Sequence, residues 1–358
     1  MQIRLRQFLF LHTLLQLAPT QSSADVHEQH GRVLVIFAFF DSIFARPNLR
    51  FLLRHVVGAP ASKHVDVLIV DTTPHGPTVP IPFHPQVRYL HRKNEGFDMC
   101  SYKVGLNKTR EGDYAYIILM NGSVRGPFAK GDWVAPFRAL FTKRVAMVGT
   151  TAACHVTPHI QSMFLMMNPV GVRILNGTLH CDCKEKEKAT TGPGGEFDLS
   201  RTILKHGYGL NVRQAIWRNH NFSDPILTSQ RCKANYTLYD PYYSMNDVDP
   251  VTMQHRDVDP EDAIFFKTNR GISPGQLSSV TKRYDDMCTS GGCGSWSATI
   301  PFENGIAGTW ELWRTYNPIT DIGQHRGRLL LGLLFETWHA LKRGLGQGLS
   351  SWSSFADL

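Results

Sequence analysis

The chain has 358 residues, 42% hydrophobic and 19% charged, which is enough apolar side chain for one large α/β domain or two smaller ones. Its net charge of +8 is modest for that length, and no block of Lys and Arg stands out. A nucleic-acid-binding tail is therefore excluded, nucleic acid is not an expected partner, and the positive surplus suits an anionic small ligand.

At the N-terminus, Arg4 and Arg6 precede an apolar stretch from Phe8 to Ala18, and the small residues Ser22, Ser23 and Ala24 follow. This layout predicts a signal peptide or short anchor over 1–24, with an apolar core short for a membrane span. It implies the lumen of the secretory pathway (Golgi or ER) or secretion, with membrane association through the N-terminus. Asn-x-Ser/Thr sequons at Asn107, Asn121, Asn176, Asn221 and Asn235 agree with a glycoprotein. The seven cysteines, Cys100, Cys154, Cys181, Cys183, Cys232, Cys288 and Cys293, fit an oxidising lumen. Their odd number leaves at least one unpaired. No spacing of Cys and His completes a zinc site, so they are read as structural.

From residue 31 strand and helix signals alternate. "RVLVIFAFF" (Arg32 to Phe40) is a continuous apolar run, as in a strand buried on both faces. "PNLRFLLRHVVG" reads as a helix, with Pro47 at its start and Gly58 at its end. Val65 to Asp71 and Val87 to His91 read as the second and third strands, and a helix is expected from Asp98 to about Leu106. Ala115 to Met120 is the fourth strand, running into Asn121-Gly122-Ser123. "WVAPFRALFTK" reads as a helix kinked at Pro136. Val145 to Thr151 and Gln161 to Asn168 are the fifth and sixth strands, and Pro169 to Leu175 a helix. A charged, Gly/Pro-rich loop from Cys183 to Gly195 leads into a helix carrying Leu199, Ile203 and Leu204. Asp262 to Gly271 is a late strand, and a further amphipathic helix lies near the C-terminus. The repeated alternation predicts a parallel or mixed sheet with helices on both faces.

Three stretches carry candidate chemistry. In "NEGFDMCSY", Gly96 permits a tight turn, and Asp98 is either a plain helix cap or a group facing a ligand at a strand end. Asn121 and Ser123 follow a buried strand. Glu196 and Asp198 stand at a helix start beside the charged loop, as dipole partners or as a general base. "DVDP" at Asp247 to Pro250 and at Asp257 to Pro260 resembles Asp-x-Asp. Neither copy follows an apolar strand, and both read as turns.

Taken in order, Asn94 to Asp98, Tyr116 to Phe128, Val148 to Thr151, Pro158 to Met163, Glu196 to Tyr208 and "IFFKTNRG" resemble a GT-A type glycosyltransferase. More narrowly they resemble a eukaryotic microbial group related in pattern to rhamnan-synthesis transferases. The resemblance spans roughly residues 32 to 271. It implies a GT-A-like domain at 31–271, with a mixed, mainly parallel central sheet, and a loosely patterned C-terminal extension at 272–358. It also implies transfer of a sugar, with inversion, from a nucleotide-diphosphate sugar to a carbohydrate or glycoprotein acceptor.

In that family the site strand usually ends in Asp-x-Asp, whose carboxylates hold a divalent metal. Here Asn121-Gly122-Ser123 stands at that place, so a Mn²⁺ or Mg²⁺ cofactor is not indicated there. The resemblance places Asn94, Gly96, Asp98, Asn121, Ser123 and Arg125 at the donor, with Arg125 against the diphosphate. Glu196 or Asp198 is the catalytic base, and His159 and Gln161 contact donor sugar or acceptor. A glycan on Asn121 would block such a site, so that sequon is expected to be unoccupied. The rival reading is a catalytically inactive glycan- or nucleotide-binding protein on the same fold. A third is a hydrolase on an α/β scaffold.

Overall fold

Every residue of β1 (Val33–Phe39) is buried. Side chains alternate across a strand, so this burial requires cover on both faces of the sheet. The computed structural model describes residues 31–153, 158–182, 191–214, 217, 220–224, 227, 228, 230, 260–268, 274–288 and 293. The predicted leader, the first "DVDP" copy, Asp257 to Asp259 of the second and the C-terminal amphipathic helix lie outside the described residues. Among the described residues no helix is long and apolar enough to cross a membrane.

In chain order, β1 is followed by α1 (Ala45–Val56), β2 (Val65–Asp71), β3 (Val87–His91), α2 (Phe97–Asn107), β4 (Tyr116–Asn121) and β5 (Val124–Arg125). Then come α3 (Ala135–Arg138), β6 (Val145–Gly149), β7 (Ala152–Ala153), β8 (His159–Ile160), β9 (Phe164–Met167) and α4 (Pro169–Thr178). The described chain ends with α5 (Glu196–Lys205), β10 (Gly209–Val212), α6 (Pro260–Ala263), β11 (Phe266–Lys267) and α7 (Pro274–Met287). The main sheet has seven strands in the order β10-β6-β9-β4-β1-β2-β3. β9 runs antiparallel to β4 and β6, and every other pairing is parallel. It is a mixed, mainly parallel α/β sheet, and its parallel strands all finish at one edge.

α2 lies on one face, where a Cβ on Gly105 would come within 2.4 Å of Ile36 Cγ2. The core there joins Leu34, Ile36, Leu119 and Tyr102 to Leu175 of α4 and Ile203 of α5. Aromatic rings pack the other face. Phe164 stacks on Phe137 at 4.6 Å and on Phe265 at 4.8 Å, and Phe51 of α1 meets Phe128 at 5.0 Å.

Two expected elements are much shorter than their sequence signals. Of "WVAPFRALFTK" only Ala135–Arg138 is α-helix. Asp132 Oδ1 accepts from Val134 N at 3.0 Å and Ala135 N at 3.2 Å, so the helix starts at Ala135 with Pro136 in its first turn, instead of passing through the proline. In the late strand Ile264 takes φ 67°, which turns the chain between α6 and β11. α7 lies past residue 271, where the pattern loosens, yet Val280 and Tyr284 are buried and Tyr284 packs edge-on against Phe128 at 5.5 Å.

Candidate active site

At the end of β4 the side chain of Asn121 is consumed by the turn that follows. Its Oδ1 accepts from Ser123 N at 3.1 Å and from Ser123 Oγ at 2.6 Å, an Asx turn. Its Nδ2 donates to Asp98 Oδ2 at 3.0 Å. Gly122 N donates to Ala38 O of β1 at 2.9 Å, and a Cβ on Gly122 would sit 2.9 Å from Ala45 Cβ. A small polar cluster ends this strand because the turn closes against β1 and α1 while reaching sideways to α2.

Asp98 stands in the first turn of α2. The entry to that helix is tight: Gly96 has φ 68°, and a Cβ there would lie 2.8 Å from Cys100 Cβ and 2.9 Å from Cys181 O. Phe97 also has a positive φ, 53°, a conformation costly for a residue with a side chain. Arg92 holds the loop, donating to Lys93 O at 2.8 Å, Glu95 O at 2.7 Å and Phe97 O at 2.8 Å. A disulfide joins Cys100 in the first turn of α2 to Cys181. Burial pushes the Asp98 carboxyl above its ordinary value. The Asn121 hydrogen bond and the charge of Lys267 pull it back, and Glu196 pushes it further up.

Glu196 opens α5. Its Oε1 accepts from Ser162 N at 2.8 Å, and Ser162 O accepts from Tyr102 Oη at 3.1 Å. Tyr102 is wholly buried, and burial, then Asp98 and Glu196, hold its phenol well above the usual value, so it stays neutral. Asp98, Asn121 and Ser123 therefore form one hydrogen-bonded group at the carboxyl edge of the sheet, Glu196 and Tyr102 a second through Ser162, and the two act on each other electrostatically, with Asp98 and Glu196 each in the first turn of a helix. Helix N-termini of this kind favour anions.

The other predicted site residues are placed elsewhere. Arg125, expected at the diphosphate, is instead buried at 7% exposure. Its Nε donates to Asn48 Oδ1 at 2.9 Å and its Nη1 to Thr281 Oγ1 at 2.9 Å. Burial lowers its pKa to about 10 against the pull of Asp285, the signature of an internal strut. His159 is buried at 2% exposure with its ring 4.3 Å from that of Phe197. Gln161 is buried and accepts from Thr151 Oγ1 at 2.7 Å, so neither faces an acceptor. Asp198 Oδ2 accepts from Gly194 N at 3.0 Å, and its other oxygen lies 3.5 Å from Arg201, turned toward its own loop. Asn94 is exposed in the loop that carries Gly96.

Two further contributors escape the sequence signals. Lys267 pairs with Val124 in the antiparallel β11–β5 ladder and acts electrostatically on Asp98, although "IFFKTNRG" reads as a strand and as part of the family pattern with no role for the lysine. Asp71 ends β2 fully buried, accepting from Tyr89 Oη at 2.8 Å and from Thr73 Oγ1 at 2.6 Å. Among the described residues no third His, Cys, Asp or Glu joins Asp98 and Glu196 as a metal-holding group. Two carboxylates are of the type that hold Mg²⁺ together with substrate phosphates.

No family model matches the chain, and no curated protein matches it by sequence. Among solved structures, it is similar to the mannosyltransferase PcManGT from Pyrobaculum calidifontis in complex with GDP-Man and Mn²⁺. The identity is 10%, covering 87% of this chain and 80% of that one, with a TM-score of 0.36. It is also similar to the glycosyltransferase GlyE of Streptococcus pneumoniae TIGR4, at 12% identity over 73% of this chain and 64% of that one, with a TM-score of 0.38. At these TM-scores the likeness carries no weight for activity, and the functional reading rests on this chain's own groups.

Proposed function

We propose that the chain is a glycosyltransferase that moves a sugar from a nucleotide-diphosphate sugar to a hydroxyl of a carbohydrate or glycoprotein acceptor, with inversion. It works in the lumen of the Golgi or ER, or outside the cell. The single observation that carries the reading is the linkage of Asp98, Asn121 and Glu196 at the edge where parallel strands end, the place where α/β folds bind nucleotides.

In this reading Glu196 is the catalytic base. Ser162 N engages Oε1, which leaves Oε2 to take the acceptor proton. The acceptor oxygen attacks the anomeric carbon, the bond from that carbon to the diphosphate oxygen breaks, and the nucleoside diphosphate leaves with the electron pair. Lys267 and the first-turn N–H groups of α2 supply positive potential for the leaving group, the part first expected of Arg125. Ser123 and Asn94 line the approach to the donor. No step is routed through a metal.

A second reading, a nucleotide- or glycan-binding protein without turnover, is favoured by one feature: Asn121 and Ser123 stand where carboxylates would hold a cation. Incubating the purified chain with a panel of nucleotide sugars, with and without EDTA, separates the two. Release of nucleoside diphosphate coupled to sugar transfer supports the enzyme. A donor that raises Tm without being consumed supports the binding protein, and no binding of any nucleotide sugar sinks both.

A further inference from the structure

Four of the Asn-x-Ser/Thr triplets fall wholly within the described residues, and their asparagines have different surroundings. Asn121 and Asn221 sit in the same local turn: in each, Oδ1 accepts from the backbone N of the serine two residues on, at 3.1 Å. The amide nitrogen is what differs. Asn121 is half-buried, and its Nδ2 donates to Asp98 Oδ2 at 3.0 Å. Asn221 is exposed, and its Nδ2 has no partner among the described residues. Phe222 anchors that turn: it is only 4% exposed, with its ring 5.1 Å from that of Trp217, while the asparagine before it stays at the surface.

The two helical asparagines divide in the same way. Asn107, the last residue of α2, is exposed, and its side chain makes no hydrogen bond among the described residues. Asn176, near the end of α4, is half-buried, and its Oδ1 accepts from Lys103 Nζ of α2 at 3.0 Å. Position sets the exposed pair apart from the site as well. α2 begins at the carboxyl edge of the sheet, where Asp98 meets Asn121, and Asn107 lies about 14 Å further along its axis. From there a short link leads to the start of β4 at the opposite edge, where Ala115 N donates to Arg32 O. Asn221 belongs to that opposite edge too. Ser223 Oγ is 3.7 Å from where a Cβ on Gly209, the first residue of β10, would stand.

We propose that Asn107 and Asn221 are N-glycosylation sites and that Asn121 and Asn176 stay unmodified, which leaves the Asp98–Glu196 edge clear. The inference rests on the secretory location proposed above. In the transfer, the asparagine amide nitrogen attacks the anomeric carbon of a lipid-diphosphate-linked oligosaccharide. The bond from that carbon to the diphosphate oxygen breaks, the lipid diphosphate leaves with the electron pair, and the nitrogen gives up one proton to a base of the transferring enzyme. The attached sugar is bulky and hydrophilic, so the folded chain carries it where the amide faces water. A sugar on Asn121 would instead crowd the nitrogen that holds Asp98.

The test expresses the full chain in a eukaryotic secretory host, once with its own N-terminus and once behind a proven secretory leader. Enzymatic release of the sugars in heavy-oxygen water turns every sugar-bearing asparagine into labelled aspartate, which peptide mapping locates. Label on Asn107 and Asn221, with none on Asn121 or Asn176, is the expected result. Asn107→Gln and Asn221→Gln should each remove one step of gel retardation and leave the transfer rate unchanged. Label on Asn121 or Asn176 overturns the proposal. So does a chain that enters the lumen behind the proven leader with Asn107 or Asn221 bare. Label on both expected sites only behind that leader supports the two sites and overturns the reading of the chain's own N-terminus.

Discussion

Asp98 sits in an environment that opposes its charge. Its folded-state pKa is raised, so the native protein holds this proton more tightly than the unfolded chain does. The stability gained from that proton is fully present below the ordinary value of 3.8 and is lost as pH rises through the folded value. Asp98→Asn keeps an acceptor for Asn121 and has no such loss. We expect the variant to be more stable than wild type at pH 7, with the difference shrinking toward pH 4, as read by urea unfolding across that range. On the proposed reading, in which Asp98 belongs to the donor site, transfer activity should fall about ten-fold. Glu196 and Asp198 divide more sharply. Glu196→Gln should lower kcat by about 10²- to 10⁴-fold, the usual worth of a positioned base. Asp198→Asn, whose carboxylate bonds its own loop, should leave kcat near wild type. Equal activity in both variants removes Glu196 as the base.

Among the elements, α4 shows how closely the helices sit on the sheet. A Cβ on Gly171 would come within 2.3 Å of Ala146 O, a backbone atom of β6 that cannot yield. Six residues on, Gly177 has nothing within 4 Å. Gly171→Ala should therefore cost about 1–3 kcal/mol in urea unfolding, while Gly177→Ala should be neutral or gain about 0.5–1 kcal/mol. The pair isolates close packing from helix propensity. The same comparison explains which elements were legible. β2 and β3 are apolar or alternating runs with clear stops, and their limits agree with the sequence reading to the residue. β5, β7 and β8 have two residues each, too short for any period to register. β10 escaped because Gly209 and Asn211 interrupt its apolar positions.

For the molecule as a whole, the segment after residue 259 is tied to the sheet by a buried polar seam. Asn48 Nδ2 donates to Gly122 O at 2.9 Å and to Thr268 Oγ1 at 2.8 Å. Thr268 N donates to Ser123 O at 2.9 Å, and Arg125 spans from Asn48 to Thr281. Arg125→Ala would leave the buried Asn48 oxygen and the Thr281 hydroxyl without their donor, at a cost of about 1–3 kcal/mol. If Arg125 is a strut and not a donor ligand, kcat/KM per folded molecule should be unchanged at a temperature where the variant remains native. A selective rise in KM for the donor would return it to the phosphate-binding role. The seam also delivers Lys267 to Asp98, joining parts of the chain that are far apart in sequence.

The sequence by itself determined the α/β alternation, the strands buried on both faces, and the polar ends of those strands. These follow from local period and from the chemistry of turns, which neighbouring residues set among themselves. Only the tertiary structure decided which polar groups meet. Arg125, His159 and Gln161 sit in stretches that resemble site motifs, yet the packing of α1, α5 and α7 turns each inward, where burial requires a partner. Lys267 has no sequence signal for a site role, and the pairing of β11 with β5 brings its charge to bear on Asp98. His55 likewise joins Cys288 and Cys293 only because α7 folds back on α1. Side-chain direction depends on what covers the other face, and that is a property of the assembled sheet and helices rather than of any one segment.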